Sequence, residues 1–226
     1  MFKGVFITGT DTGVGKTRFT VILMEALKKQ GHQVAGMKPI ASGAILDDGS
    51  LINEDARLIM HHCSKVTRYD LINPVVFEPP VAPHIAASQK KEIVDLDKII
   101  ASYGQLASND RFVVVEGIGG WRAPISDNKS IVDLVRMLDL PVILVVGIRL
   151  GCINHAILTV EAIRTDGVNL CGWVSNQLDK DYLFKQETID TLNERLDCPQ
   201  IADLAYKKDF EPDKMLDRIN LPLIYG

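Results

Sequence analysis

The sequence predicts an α/β fold: one domain over residues 1–226, built on a mostly parallel sheet with helices on both faces. Three observations lead there. Short β-branched apolar runs alternate with longer segments of helical period. The run at residues 141–147, Pro-Val-Ile-Leu-Val-Val-Gly, is apolar throughout, as a strand buried on both faces must be. The 226 residues, 46% hydrophobic and 24% charged, are enough for one substantial core, and no linker, repeat or low-complexity stretch divides them.

Val5-Phe6-Ile7-Thr8 reads as the first buried strand, followed by a glycine-rich turn at 9–15 and a helix over 16–30. Phe19, Leu23, Ala26 and Leu27 share one face of that helix, Lys28 and Lys29 complement its C-terminal dipole, and Gly31 stops it. Residues 34–38 form a second strand halted by Pro39, and residues 53–62 a helix opening on Asn53 and Glu54. Pro74, Pro79, Pro80 and Pro83 make residues 73–83 a surface loop. A helix over 96–107 precedes the apolar strand Phe112-Val113-Val114-Val115, which ends in Glu116 and the turn Gly117-Ile118-Gly119-Gly120. A helix over 130–138, the strand at 141–147, a helix over 154–166, a strand at 171–175 and a helix over 182–196 complete the alternation, before a mixed tail from residue 200.

Lys and Arg number 25 against 29 Asp and Glu, a net charge of -4, so the basic surplus of a general nucleic-acid binder is missing. Cys63, Cys152, Cys171 and Cys198 lie far apart with no zinc-ligand spacing, which suits a reduced, cytoplasmic protein. The N-terminal apolar run ends by Gly9, too early for a secretory signal, and the run at 140–146 is far short of the roughly 20 residues that span a bilayer. No nucleic-acid or membrane partner is expected.

Gly9-Thr10-Asp11-Thr12-Gly13-Val14-Gly15-Lys16-Thr17 satisfies the phosphate-loop pattern GxxxxGK[ST], with a strand before it and a helix after it. Glycines let successive N–H groups converge on phosphate oxygens, and the helix N-terminus adds unpaired donors and a favourable dipole. Lys16 is suited to the β- and γ-phosphates and the Thr17 hydroxyl to Mg²⁺. The fold is therefore expected to be that of a phosphate-loop NTPase. Glu116, at a strand's carboxyl end, is either a Mg²⁺ ligand or a solvated charge at a turn. Lys38 also ends a strand, where ligands collect in such sheets, although an ordinary exposed lysine would look the same. The acidic stretch Asp47, Asp48, Glu54 and Asp55 contains a further metal ligand or forms a solvated face. Asn176-Gln177-Leu178-Asp179 looks like a degraded guanine-recognition NKxD and leaves adenine or guanine open. Gly151-Cys152-Ile153-Asn154 either holds an anionic group at a helix start or is a plain start capped by Asn154. Cys152, His155 and His84 have no activating partner and read as structural.

Taken together, these stretches resemble the dethiobiotin synthetase family of biotin biosynthesis over nearly the whole chain. The resemblance rests on residues 8–17, Lys38-Pro39-Ile40-Ala41-Ser42-Gly43, Pro83-His84, Val115-Glu116-Gly117-Ile118-Gly119-Gly120-Trp121, residues 141–147, residues 150–156 and Gly172-Trp173-Val174-Ser175-Asn176. It implies a homodimer that uses MgATP to join CO₂ to 7,8-diaminononanoate and close a cyclic urea, through a carbamate and a carbamic–phosphoric anhydride. By the same resemblance, Lys38 and Lys16 are the catalytic lysines, and Thr17, Asp55 and Glu116 are the metal ligands. Thr12, Gly13, Val14, Gly15, Gly117, Ile118 and Gly119 join them around the nucleotide, with Asn176 and Gln177 at an adenine base. Ser42 matches a substrate contact. Gly151, Cys152, Ile153 and Asn154 match the helix start that receives the substrate carboxylate from the neighbouring subunit, so the active site would lie at the dimer interface.

One departure stands out. Many relatives carry a Gly-x-Ile/Leu-Pro turn along the adenine, where this chain has Ala202-Asp203-Leu204-Ala205. Losing the proline leaves a less rigid loop and leaves the preference among ATP, CTP and GTP open; Ala205, Tyr206 and Lys207 remain a candidate nucleotide edge. The alternative reading is a partitioning-type switch ATPase, but such proteins carry a further lysine at the position of Asp11. A metal-insertion GTPase would need a His- or Cys-rich segment. A cobyrinate-type amide ligase would need a glutamine-hydrolysing domain for which the chain is too short.

Overall fold

The computed structural model describes residues 4–206 and 210–225. Its strands are β1 (Gly4–Gly9), β2 (Val34–Met37), β3 (Ile40–Ala41), β4 (Ile45–Asp47), β5 (Ser50–Ile52), β6 (Val75–Val76), β7 (Phe112–Glu116), β8 (Val142–Ile148), β9 (Leu170–Gln177) and β10 (Gln200–Leu204). Its α-helices are α1 (Lys16–Lys29), α2 (Glu54–His61), α3 (Tyr69–Ile72), α4 (Pro83–Lys90), α5 (Leu96–Leu106), α6 (Ile131–Leu138), α7 (Cys152–Thr165), α8 (Lys185–Arg195) and α9 (Pro222–Tyr225), with a 3₁₀ segment at Pro212–Arg218.

Six strands form one sheet in the order β10-β9-β8-β1-β7-β2, and every pairing in it is parallel. The reason for the uninterrupted apolar run in β8 is visible in its contacts. Ile143 and Val145 join the core cluster that includes α1, while Leu144, Val146 and Ile148 pack with Cys152, Ala156 and Val160 of α7 and Ile189 and Leu192 of α8. Successive side chains point to opposite faces, and both faces are covered by helices, so no polar residue fits between them.

Several boundaries differ from those the sequence predicts. Residues 73–83 are not simply a surface loop: β6 pairs in parallel with β3, and Asn73 and Phe77 are buried. Two-residue strands are too short to show a period. Helix α7 begins at Cys152, capped by Gly151 in the left-handed region, and not at Asn154. Strand β9 runs on through Asn176 and Gln177, because β8 supplies partners for both. Helix α8 begins at Lys185 because Phe184, at φ 58°, breaks the helical path from Tyr182. The tail contributes a sheet strand, β10. Among the described residues, no helix is long and apolar enough to cross a membrane.

The topology sets the site. The chain leaves β1 for the edge strand β2, returns to β7 on the near side, then crosses to β8 on the other side of β1. The carboxyl ends of β2, β7 and β1 therefore lie side by side, with Met37 paired to Val115 and Ile7 to Glu116. Such a reversal of strand order opens a crevice at the carboxyl edge.

Candidate functional site

Each residue at that crevice is placed by the strand or helix it terminates. Gly15 sits at φ 96°, a left-handed conformation that glycine adopts without a Cβ clash, and it starts α1 with no side-chain cap. The first N–H groups of α1 thus face the crevice together with the loop before it. Lys16 folds back, and its Nζ donates to Asp11 O at 2.8 Å and to Gly119 O at 2.7 Å. Asp11 is itself held by the Arg149 guanidinium at 2.8 Å.

Lys38 follows β2 directly. Its backbone N–H donates to Ile72 O, and its carbonyl accepts from Asn73 Nδ2 at 2.7 Å, so α3 and the residues after it fix the lysine's backbone. Its Nζ donates to Glu116 Oε1 at 2.5 Å, to Asp55 Oδ2 at 3.3 Å and to Gly117 O at 3.3 Å. Asp55 reaches it from the first turn of α2, whose N-cap Asn53 accepts from the Ala56 N–H.

Glu116 is completely buried and Lys38 only 4% exposed. Thr17 Oγ1 donates to the same Glu116 Oε1 at 2.8 Å, whereas Glu116 Oε2 is buried without a partner. A buried carboxylate oxygen rarely stays unpaired without a reason. Together with the Thr17 hydroxyl and the half-exposed Asp55 carboxylate, it makes an all-oxygen donor set that could hold a hard divalent cation such as Mg²⁺.

The two lysines respond differently to burial. Burial, and next the neighbouring charge of Lys38, bring the Lys16 ammonium down to about 8. Burial also opposes the charge on Lys38, but Glu116 and Asp55 beside it outweigh that effect and raise it above the ordinary lysine value. Lys38 is thus a firmly charged cation, while Lys16 lacks an ion-pair partner among the described residues.

These groups line a cavity of about 650 Å³ that runs from the phosphate loop past Lys38 to Ser42, with the 80–83 segment forming its far wall. Ser42 Oγ is buried without a partner, while its carbonyl accepts from Asn53 Nδ2 at 3.2 Å. Thr12, Gly13, Gly15, Ile118 and Gly119 also line the cavity. Asn53 and the 80–83 segment were not among the residues expected at a site. The polar start of α2 signalled Asn53, but nothing in a proline-rich stretch marks it as a cavity wall.

Asn176 lies beneath the phosphate loop, 2% exposed, with Nδ2 donating to Val14 O at 2.9 Å. Gln177 Oε1 accepts from the Tyr206 N–H at 3.3 Å, which brings Ala205 and Tyr206 to the end of β9. Lys207 lies outside the described residues. Gly151, Cys152, Ile153 and Asn154 do not line the cavity of their own chain. Cys152 is buried against β8, and its N–H is committed to Arg149 O at 3.1 Å, while the neighbouring Leu150 is 91% exposed.

Three comparisons bear on this arrangement. A family model described as an AAA domain matches residues 3–214. Among curated proteins, the chain is similar to the ATP-dependent dethiobiotin synthetase BioD of Aromatoleum aromaticum, at 41% identity over 217 residues, 96% of each chain. It is similar to the protein of the same name from Xanthomonas oryzae pv. oryzae at 41% identity, covering 96% of this chain and 97% of that one. The protein of that name from Cellvibrio japonicus is 43% identical over 197 residues, 87% of this chain and 86% of its own. Among solved structures, the MinD cell division protein of Aquifex aeolicus superposes with a TM-score of 0.52 at 15% identity, covering 91% of this chain and 83% of that one. A ParA family ATPase from Chlorobium tepidum gives 0.52 at 12% identity, over 92% and 87%. At these identities the structural likeness is one of fold.

Proposed function

This chain belongs to the ATP-dependent dethiobiotin synthetase family, and from that premise we propose that it uses ATP to join CO₂ to 7,8-diaminononanoate and close the ring of dethiobiotin. One amine of the substrate adds to CO₂ and loses a proton, giving a carbamate. A carbamate oxygen then takes the γ-phosphoryl group, with ADP leaving. The second amine attacks the carbonyl carbon of the mixed anhydride, the carbon–oxygen bond breaks, phosphate departs and a proton is lost.

The observation that carries this reading is the convergence of Lys16 and Lys38 at one end of a cavity lined by no cysteine or histidine among the described residues. A carbamate and a triphosphate repel each other, and two fixed cations offset that repulsion where the charge is transferred. Phosphoryl transfer needs positioning and charge stabilisation more than a covalent side chain. In this reading Lys38 holds the transferring group and the carbamate, and Lys16 the β- and γ-phosphates. Thr17, Asp55 and Glu116 hold Mg²⁺, which when bound neutralises phosphate charge; Ser42 contacts the diamine. Asn176, Gln177, Ala205 and Tyr206 border the adenine.

We further propose a cytoplasmic homodimer. The helix start at Gly151–Asn154 misses its own cavity and lies beside the exposed Leu150, which suits service to the cavity of a second copy. Sedimentation at micromolar concentration should find a dimer. The test of function is phosphate release from MgATP and bicarbonate with and without 7,8-diaminononanoate, with mass detection of the product. Phosphate and cyclic urea should appear together, and only with the diamine. Hydrolysis indifferent to the diamine would place the protein with switch ATPases instead.

A further inference from the structure

We infer that Arg18 is a positioning residue for the nucleotide base, clamping the ends of β9 and β10 against the helix that follows the phosphate loop. The inference rests on the reading that Asn176 and Ala205–Tyr206 border that base. Arg18 is the third residue of α1. Its Nη1 donates to Asn176 Oδ1 at 2.9 Å, and its Nη2 donates to Ala205 O at 2.7 Å, with Met215 Sδ of the 3₁₀ segment 3.4 Å away. One planar cation thus spans three segments that are distant in sequence. A guanidinium can do this because its donors point in fixed, divergent directions, which a lysine cannot reproduce.

Two consequences follow from the chemistry of these partners. An arginine can only donate and the Val14 carbonyl can only accept, so the Asn176 amide has one allowed orientation, Oδ1 toward Arg18 and Nδ2 toward Val14. Rotation away is also obstructed, since Asn176 packs so closely on Gly15 that an added Cβ there would lie 2.1 Å from Nδ2. What the amide has left to offer is one acceptor lone pair and one N–H. That set complements the N6/N7 edge of adenine and not the two acceptors, O6 and N7, of guanine. The second consequence concerns Ala205, the first residue past the end of β10. Its carbonyl is held by the Arg18 charge. Arg18 makes no ion pair among the described residues, so its donors are committed to these neutral acceptors.

The test compares Arg18→Met, which keeps the aliphatic stem, and Arg18→Lys with the unsubstituted protein. ADP affinity is measured by calorimetry, and KM and kcat are measured for ATP, CTP and GTP in the diamine-dependent reaction. Arg18→Met should weaken ADP binding and raise the ATP KM about tenfold, shrink the preference for ATP over GTP by a similar factor, and leave kcat and the diamine KM within about twofold. Arg18→Lys, able to hold one acceptor at a time, should fall between. Unchanged ADP affinity in both variants, with only thermal stability lowered, would overturn the inference, as would a fall in kcat at unchanged ATP KM. ADP binding is read without turnover, so if the unsubstituted protein forms no cyclic urea the proposed reaction fails, while the ADP comparison still decides the role of Arg18.

Discussion

Replacing Lys16 by methionine should make the nucleotide-free protein more stable at neutral pH while abolishing turnover. Burial, followed by the charge of Lys38, brings the Lys16 ammonium from an ordinary 10.5 to about 8. At about 1.4 kcal/mol per pH unit, that displacement corresponds to roughly 3 kcal/mol of destabilisation of the native state. Below pH 8 native and unfolded chains both hold the proton, and the native state bears the full burden. Between pH 8 and 10.5 the native lysine sheds its proton first, so the burden falls with rising pH, to about half near pH 9.25, and is gone above 10.5. Methionine removes the burden but strands the carbonyls of Asp11 and Gly119, a loss of about 1 kcal/mol each. The variant should therefore be more stable by about 1 kcal/mol at pH 7, with the order reversed near pH 9.5. Urea unfolding followed by the fluorescence of Trp121 and Trp173 at the two pH values measures this difference. A stability difference that does not move with pH would refute the reasoning, because the charge on Lys16 would then not be what the native state tolerates poorly.

The other predictions concern the same crevice. Lys38→Met should destabilise the fold by about 3–5 kcal/mol, because it leaves the buried Glu116 carboxylate without its cation; adding Glu116→Gln should restore most of the urea midpoint but none of the turnover, and a single variant as stable as the parent would contradict the pairing. Gly15→Ala should lower ADP affinity at least about tenfold, since it combines a left-handed φ of 96° with a Cβ 2.1 Å from Asn176 Nδ2; calorimetry with unchanged ADP affinity would show that the loop tolerates another path. Binding of MgATP, whose terminal phosphate is already fully ionised at both pH values, should take up about half a proton at pH 8 and almost none at pH 6.5, because phosphate charge restores the proton that Lys16 has half lost. Calorimetry in two buffers of different ionisation enthalpy reads that uptake directly.

The sequence by itself determined the elements whose physics is local. The apolar run of β8, the strand–glycine loop–helix unit around Lys16 and the glycine stop at Gly31 each carry their structure in consecutive residues, and all were legible. So were Glu116 and Lys38 as strand-end residues, although not what either one touches. Only the tertiary structure decided that the ends of β2, β7 and β1 lie side by side, which puts Lys38 within 2.5 Å of Glu116 across 78 positions of sequence. It also decided that Asn53 and the 80–83 segment wall the cavity, and that Arg18 reaches Ala205, 187 residues away. A spacing or a period reports on neighbours a few residues apart. The charge balance of a buried site depends on which strands the sheet places next to one another, and the packing of the whole chain fixes that order.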